Sequence, residues 1–151
     1  MRASVRSTST RVLLVFPAIV TAEQAAARRR LRLRWTPLLV AGYLAYRLSG
    51  KYRLPRAGGP PGMSQGMPEK IVEEGPYALT RNPMYLGHLV FLTGLTLTTR
   101  SPLAAGIAGY HLSWFRERVR RDEQRLRDRF GDAYGDYCAR VPRWLPGTPA
   151  R

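Results

Sequence analysis

The sequence predicts an all-α fold, a small helical membrane protein with several spans, and three features lead to this class. The chain has 151 residues, which suits a single domain. Aromatic residues such as Trp35 and Tyr46 stand near the ends of one uncharged stretch, as in the interface belts of membrane proteins. Four uncharged stretches are also rich in apolar residues, and they lie at 12–22, 35–46, 84–99 and 102–115.

The charge balance narrows the possible partners. The net charge is +15, and nearly all cations are arginines, since the only lysines are Lys51 and Lys70. Such a surplus predicts a polyanionic neighbour, either nucleic acid or an anionic membrane face. Cys138 stands alone, which excludes a disulfide within the chain, and His88 and His111 lack partners at metal-ligand spacing. We therefore expect no metal site.

The N-terminal half divides into a tail, a pair of short apolar helices and a linker. The basic tail covers 1–11, and the stretch after it is interrupted by Pro17. That stretch resembles part of a targeting signal, although a short first membrane helix is the interpretation that we favour. The apolar helices occupy 12–52, and glycines and prolines over 53–68 predict an irregular linker. Residues 69–147 carry the motifs, and we expect the whole chain to form one domain.

The motif region begins with a turn and a helix start. Gly75-Pro76 ends the preceding segment. Asn82 has the side chain of an N-cap, and Pro83 falls at the first helical position, where its missing N–H costs nothing. Arg81 lies just outside this helix, whose free N–H groups attract a carboxylate or phosphate. The local chemistry fits an anion site, but by itself it favours a capped helix beside a surface arginine.

The two following uncharged stretches predict a tight transmembrane helical hairpin over about 84–115. Ser101 is the expected N-cap of its second helix. Each helix would be about 24 Å long at about 1.5 Å per residue, short of a hydrocarbon core of about 30 Å. A buried hairpin of a soluble protein is the alternative. Small residues would let the two backbones approach, as in membrane helix pairs, and they are Gly87, Gly94, Gly106 and Gly109.

The placement of arginines predicts the orientation of this hairpin. Arg81 and the cluster over 116–129 stand at one end, and Arg100 stands alone at the other. The positive-inside rule then places the motif region and a C-terminal helical cap in the cytoplasm, with the plasma membrane as the expected location. The N-terminal half does not follow the rule, because two spans would put the basic cluster at 28–34 outside.

The second hairpin helix is predicted to continue to Phe130, with Gly131 just beyond its end. Its apolar stripe is Phe115, Val119, Leu126 and Phe130. Asp122 and Glu123 project onto the same side, which is unexpected because burying a carboxylate without a partner is costly. Two interpretations stay open at this point. The acids form ion pairs with Arg81 or Arg118, or they line a binding site.

Two blocks taken together resemble one enzyme family. The first is Gly75-Pro76-Tyr77, followed by Arg81-Asn82-Pro83-Met84-Tyr85-Leu86-Gly87. The second contains Asp122-Glu123, Leu126, Phe130-Gly131, Tyr134, Tyr137 and the closing Val141-Pro142-Arg143. Over about 69–147 this pattern is similar to the isoprenylcysteine carboxyl methyltransferases and phospholipid methyltransferases, which are integral membrane enzymes.

The resemblance implies S-adenosylmethionine as the cofactor and assigns residues to it. Arg118 matches a substrate-side arginine and is the implied catalytic residue. Asn82 replaces the histidine that is usual in the family, and Asp122 shortens its first acid, so a role that needs imidazole is excluded. The implied cofactor-binding residues are Lys70, Ile71, Val72, Tyr77, Arg81, Asn82, Pro83, Met84, Tyr85, Asp122 and Glu123.

Under this resemblance, Arg81 and the helix start suit the carboxylate of the cofactor, and the acid pair suits its ribose or its cationic part. The implied function is methyl transfer at the membrane to a lipophilic acceptor, namely the carboxylate of a prenylated cysteine, a lipid amine or a thiol. The expected partners are a lipid or lipophilic substrate and the membrane, without nucleic acid. Alternatives are a non-catalytic relative, an NADPH-dependent membrane reductase, or a basic protein that binds anionic lipid or nucleic acid.

Overall fold

The computed structural model describes residues 7–57 and 69–145, and every regular element in these two ranges is helical. Most of the predicted tail and linker, and the last two residues of the motif region, lie outside the described residues. One turn at Thr8–Thr10 and a π-helical turn at Arg11–Val15 lead into the first helix, and a 3-10 turn at Leu33–Trp35 leads into the second. The helices are α1 (Phe16–Ala26), α2 (Thr36–Ala57), α3 (Pro76–Leu79), α4 (Pro83–Thr99), α5 (Pro102–Phe130) and α6 (Asp132–Arg140).

The helix ends of the hairpin follow the sequence signals. Ser101 caps α5, because its hydroxyl accepts a hydrogen bond from the Ala104 N–H at 3.1 Å. Arg100 joins the two helices in the left-handed conformation, with φ of 50°. Gly131 ends α5 with φ of 53°, a conformation that glycine adopts without strain. The predicted cap, hairpin turn and helix end are therefore confirmed.

The close helix contact of the fold is between α4 and α2, and not between the two arms of the hairpin. A Cβ atom added to Gly87 would lie 2.7 Å from the Tyr46 backbone nitrogen, and one added to Gly42 would lie 2.4 Å from that of Phe91. Gly94 makes a similar approach to Leu39. These glycines let the two backbones touch, which side chains would prevent.

The hairpin glycines were therefore only partly assigned correctly. A Cβ added to Gly106 or Gly109 would meet nothing within 4 Å among the described residues, so these two glycines mediate no close helix approach. The sequence pattern shows that a helix carries small residues, but it does not show which neighbour they face.

α1 supports the far end of the hairpin through polar contacts. The Gln24 amide donates to the Thr99 carbonyl at 2.7 Å, and the Ser101 hydroxyl donates to Glu23 Oε2 at 2.6 Å. Apolar contacts among Val20, Leu95 and Ala104 lie beside them. The turn is thereby fixed to α1, which leaves the opposite end of the bundle for the motif residues.

The helices of the structure do not support the predicted membrane spans. The hairpin is present, but among the described helices none is both long and apolar enough to cross a membrane. The all-α class is confirmed, whereas the spans predicted for the hairpin are not found. Two segment boundaries also change, because helix begins at Thr8 within the predicted tail and α2 continues to Ala57 within the predicted linker.

The C-terminal cap folds back onto the motif end. Phe115 and Val119 of α5 are fully buried, as the stripe predicted. α6 turns at Gly131 and buries Tyr134 and Tyr137, against which Leu126 and Phe130 pack together with Val141. α6 and the residues that follow it thus lie beside the start of α4.

Candidate functional site

The site forms where the segment before α4 meets the chain end, residues 141–145, which we call the C-terminal strap. The Arg81 N–H donates to the Pro142 carbonyl at 2.9 Å. The Arg143 carbonyl accepts from the Thr80 hydroxyl at 3.1 Å and from the Asn82 side-chain amide at 3.1 Å. These hydrogen bonds hold the strap against the α4 start.

Asn82 occupies the N-cap position of α4, as expected, but its side chain makes no capping hydrogen bond. Its amide instead binds the strap. The first N–H groups of an uncapped helix have no partner within the helix and attract a negatively charged group. The capping role predicted for the Asn82 side chain is therefore wrong.

Glu123 is the centre of the site, and two arginines share it. Arg143 donates to both oxygens of its carboxylate, with Nη2 to Oε2 at 2.7 Å and Nε to Oε2 at 3.0 Å and to Oε1 at 3.2 Å. Arg81 Nε lies 3.2 Å from Oε1 as an ion pair, and Arg81 Nη1 donates to the Cys138 carbonyl at 3.0 Å. The side chains of Arg81 and Glu123 are only 1% and 5% exposed. The acid on the packed face of α5 is therefore compensated by the predicted ion pair with Arg81.

Asp122 forms a second, more open cluster. Its Oδ2 accepts from the Tyr85 hydroxyl at 2.8 Å and from Arg118 Nε at 3.2 Å. Within residues 7–57 and 69–145, the partner of its Oδ1 is a distant cation, Arg125 Nη1 at 3.8 Å. The side chains of Asp122 and Arg118 are about one third exposed, so this carboxylate keeps an oxygen that a ligand can reach.

An apolar floor lies beneath both clusters. Tyr85 packs against Phe115, with ring centroids 5.0 Å apart, and Val119 completes this group. Trp144 of the strap packs on the same group. The Asp122 cluster therefore stands beside a buried apolar core, to which Tyr85 belongs.

Tyrosines of α6 close the back of the site. The Tyr137 hydroxyl donates to the Tyr77 carbonyl at 2.8 Å, which fixes α6 to α3. Burial raises the pKa of Tyr137. Burial also raises the pKa of Tyr134, and the negative charge of the nearby Glu123 raises it further. The hydrogen bonds to Glu123 raise the pKa of Arg143. The tyrosines are neutral and the arginine is charged at physiological pH.

The remaining predicted residues are placed around this centre. Pro83 and Met84 are buried at the α4 start. Val72 and Tyr77 are buried, with the partly buried Tyr52 packed against them, and Ile71 packs against the α6 tyrosines. Lys70 is exposed.

Arg143 was missed as a site residue. It stands in the closing motif of the sequence, but nothing in the pattern shows that the chain end returns to Glu123. The geometry brings together Arg81, Asn82, Tyr85, Asp122, Glu123 and Arg118, all of which were predicted, and it adds Arg143 and Thr80.

Comparison with known proteins identifies relatives of this arrangement. The sequence model of the family described as phospholipid methyltransferase matches residues 32–133, more than half of the chain. A protein-S-isoprenylcysteine O-methyltransferase B of Arabidopsis thaliana is 37% identical over 79 residues, which is 51% of this chain. A nickel-cobalt-cadmium resistance protein, NccN, of Alcaligenes xylosoxydans xylosoxydans is 31% identical over 77 residues, also 51% of this chain.

The matches cover only part of each relative. They cover 40% of the Arabidopsis protein and 36% of NccN, so the chain matches well under half the length of either. No solved structure matches the chain.

Proposed function

Because the chain belongs to the phospholipid methyltransferase family, we propose that it transfers a methyl group from S-adenosylmethionine to a lipophilic acceptor at a membrane. One observation carries the proposal. The α4 start and the acid pair of α5 meet, through Arg81 with Glu123 and through Tyr85 with Asp122. These are the two blocks on which the family resemblance depends.

The residues present fit the chemistry of this methyl donor. Its methionyl end carries a carboxylate, which suits the uncapped α4 start and the arginines beside it. Its ribose hydroxyls and amino group are donors, which suit the accessible oxygen of Asp122. Glu123 is less available, because both of its oxygens accept from Arg143. The acid that contacts the donor is therefore Asp122, and Glu123 positions the arginines.

Catalysis by this chain then consists of binding and orientation. The sulfonium group of the donor supplies an activated methyl carbon when bound, so positioning and exclusion of water provide most of the rate acceleration. The buried ring of Phe115 packs on Tyr85 and thereby supports the Tyr85 hydroxyl that binds Asp122. Arg118 keeps about a third of its side chain exposed while it donates to Asp122, so its guanidinium can also bind an anionic acceptor.

The same groups favour one class of acceptor. A carboxylate acceptor needs no general base, and Arg118 would orient it. An amine acceptor would have to lose a proton. The name of the Arabidopsis relative states that it methylates isoprenylcysteine, and we propose a lipophilic carboxylate of this type as the first acceptor to test.

We place the bundle at the plasma membrane with the site on the cytoplasmic side. Support comes from large apolar side chains that stay exposed on the described helices, including Val40, Leu44, Leu103 and Tyr110. Exposed arginines follow on α5 at the motif end of the bundle. Along α5, exposed apolar residues are thus followed by exposed arginines. This order suits a helix that passes from the apolar layer of a membrane to its anionic headgroups.

A product screen tests the proposed function. The purified protein is incubated with methyl-labelled S-adenosylmethionine and a membrane lipid extract, and labelled products are identified by mass spectrometry. We expect a labelled lipophilic product that is absent with the Asp122→Asn variant and retained with Asp128→Asn, an exposed acid on the same helix. No labelled product with the wild-type protein, or equal product with Asp122→Asn, would contradict the proposal.

A further inference from the structure

We propose that Arg143 binds the carboxylate of the methyl donor, a role that the sequence suggested for Arg81. The inference rests on the proposed function, since it names the residue that holds one end of the proposed cofactor. Arg81 and Arg143 share the single carboxylate of Glu123, so this group carries an excess positive charge.

Arg81 is not placed to contact a ligand. Its side chain is 1% exposed. Its Nη1 donates to the Cys138 carbonyl, its Nε faces Glu123, and its backbone N–H is bound to the strap. A ligand could reach this guanidinium only after α6 and the strap had moved away. Arg81 therefore acts as the buried counter-charge of Glu123.

The side chain of Arg143, unlike that of Arg81, is accessible to a ligand. Its side chain is 33% exposed, although Nε and Nη2 both donate to Glu123. Its Nη1 donates to no residue within the described part of the chain, so two N–H groups remain for another acceptor. Glu123 holds one edge of the planar guanidinium, which fixes the orientation of these donors at little further entropic cost.

The position of Arg143 in the strap also favours binding of a carboxylate. Its carbonyl accepts from Thr80 and Asn82, so its backbone lies directly beside the start of α4. That helix start is uncapped and carries a partial positive charge. A carboxylate bound by the exposed Arg143 guanidinium would therefore lie near the positive end of α4. The neighbouring titratable groups Tyr134 and Cys138 lie on α6, and the raised pKa of Tyr134 keeps it from adding negative charge.

Two ligands test the contact between Arg143 and the carboxylate of the methyl donor. S-adenosylmethionine and decarboxylated S-adenosylmethionine differ only in the carboxylate. Their affinities are measured by calorimetry for the wild-type protein, for Arg143→Gln and for Arg140→Gln, whose arginine is exposed and paired with Glu73. We expect Arg143→Gln to bind S-adenosylmethionine about 10- to 100-fold more weakly, as for loss of a charged hydrogen bond, and to leave the decarboxylated ligand nearly unaffected. Arg140→Gln should change neither affinity.

The outcomes separate this inference from the proposed function. If Arg143→Gln binds both ligands equally weakly, or binds S-adenosylmethionine as the wild type does, the role of Arg143 is refuted while the function stands. If the wild-type protein binds neither ligand, the proposed function fails first. Thermal unfolding of each variant is recorded alongside. Should Arg143→Gln melt early, Arg143→Lys keeps the charge and should lose affinity for S-adenosylmethionine alone.

Discussion

At the scale of single residues, the account depends most on Glu123, because one buried carboxylate compensates two arginines. Replacing it with glutamine leaves Arg81 buried without its counter-charge. We expect Glu123→Gln to lower the free energy of unfolding by about 3 kcal/mol, as for other broken buried ion pairs. Denaturant unfolding of the detergent-solubilised protein, followed by circular dichroism, measures this change.

Glu117→Gln is the matched control on the same helix. Its partner Arg121 is 65% exposed, and exposed ion pairs contribute less than about 1 kcal/mol. Equal destabilisation by both substitutions would mean that Glu123 does not hold the centre of the site together.

Buried tyrosines give a prediction about alkaline pH. Burial raises the pKa of Tyr134 and Tyr137 in the folded protein. The stability that comes from keeping them neutral is fully present below their unfolded pKa of about 10 and is lost as the pH rises above it. We expect these tyrosines to ionise only as the protein unfolds, seen as coincident changes in absorbance at 295 nm and in circular dichroism.

A variant makes this alkaline prediction specific. Tyr134→Phe removes one of the shifted groups, so its alkaline unfolding should occur at higher pH than that of the wild type. Unchanged or earlier unfolding of Tyr134→Phe would show that this phenol does not couple folding to pH.

The sequence anticipated the residues of the site better than their roles. Glu123 and Arg81 were correctly placed together, because helical periodicity put the acid on the packed side and an ion pair with Arg81 was one expected outcome. The Asn82 side chain was assigned to the helix cap, but it makes no capping hydrogen bond, and its amide nitrogen donates to the strap carbonyl instead. Arg143 could not be found from local pattern, since its contact with Glu123 depends on how the chain end folds back.

At the scale of helices, the decisive contact is the glycine-mediated crossing of α2 and α4. A methyl group on Gly87 would lie 2.7 Å from the Tyr46 backbone nitrogen, which cannot move without separating the helices. We expect Gly87→Ala to lower the free energy of unfolding by about 1–3 kcal/mol through overpacking. Denaturant unfolding measures the effect.

Gly106→Ala is the control, because its added methyl group meets nothing within 4 Å among the described residues. It should stabilise α5 by about 0.5–1 kcal/mol, the usual gain of alanine over glycine inside a helix. A larger loss of stability in Gly106→Ala than in Gly87→Ala would place the close contact within the hairpin instead.

The helices themselves were largely predictable, because capping residues and prolines mark their starts and Gly131 marks an end. Their pairing was not. The runs at 84–99 and 102–115 are adjacent in sequence and do form a hairpin, yet α4 makes its closest approach to α2. Periodicity and small residues identify a packing face without naming the partner, which only the folded chain determines.

At the scale of the whole molecule, the two ends of the bundle differ, and this gives the proposed orientation a direct test. Single cysteines are introduced at exposed positions in a Cys138→Ser background, one at Asp136 near the site and one at Arg100 at the far turn. In intact cells, a membrane-impermeant maleimide should label Arg100→Cys and should label Asp136→Cys only after permeabilisation. The reverse pattern would contradict a cytoplasmic site.

The central claim is that the start of α4 and the acid pair of α5 together enclose a methyl donor. Hydrogen–deuterium exchange of the purified protein, with and without saturating S-adenosylmethionine, tests it most directly. The account predicts slower exchange in peptides covering 80–86, 118–126 and 141–145, with little change in 20–35 at the opposite end. No protection in these segments, or protection of the α4 start without α5, would contradict the claim.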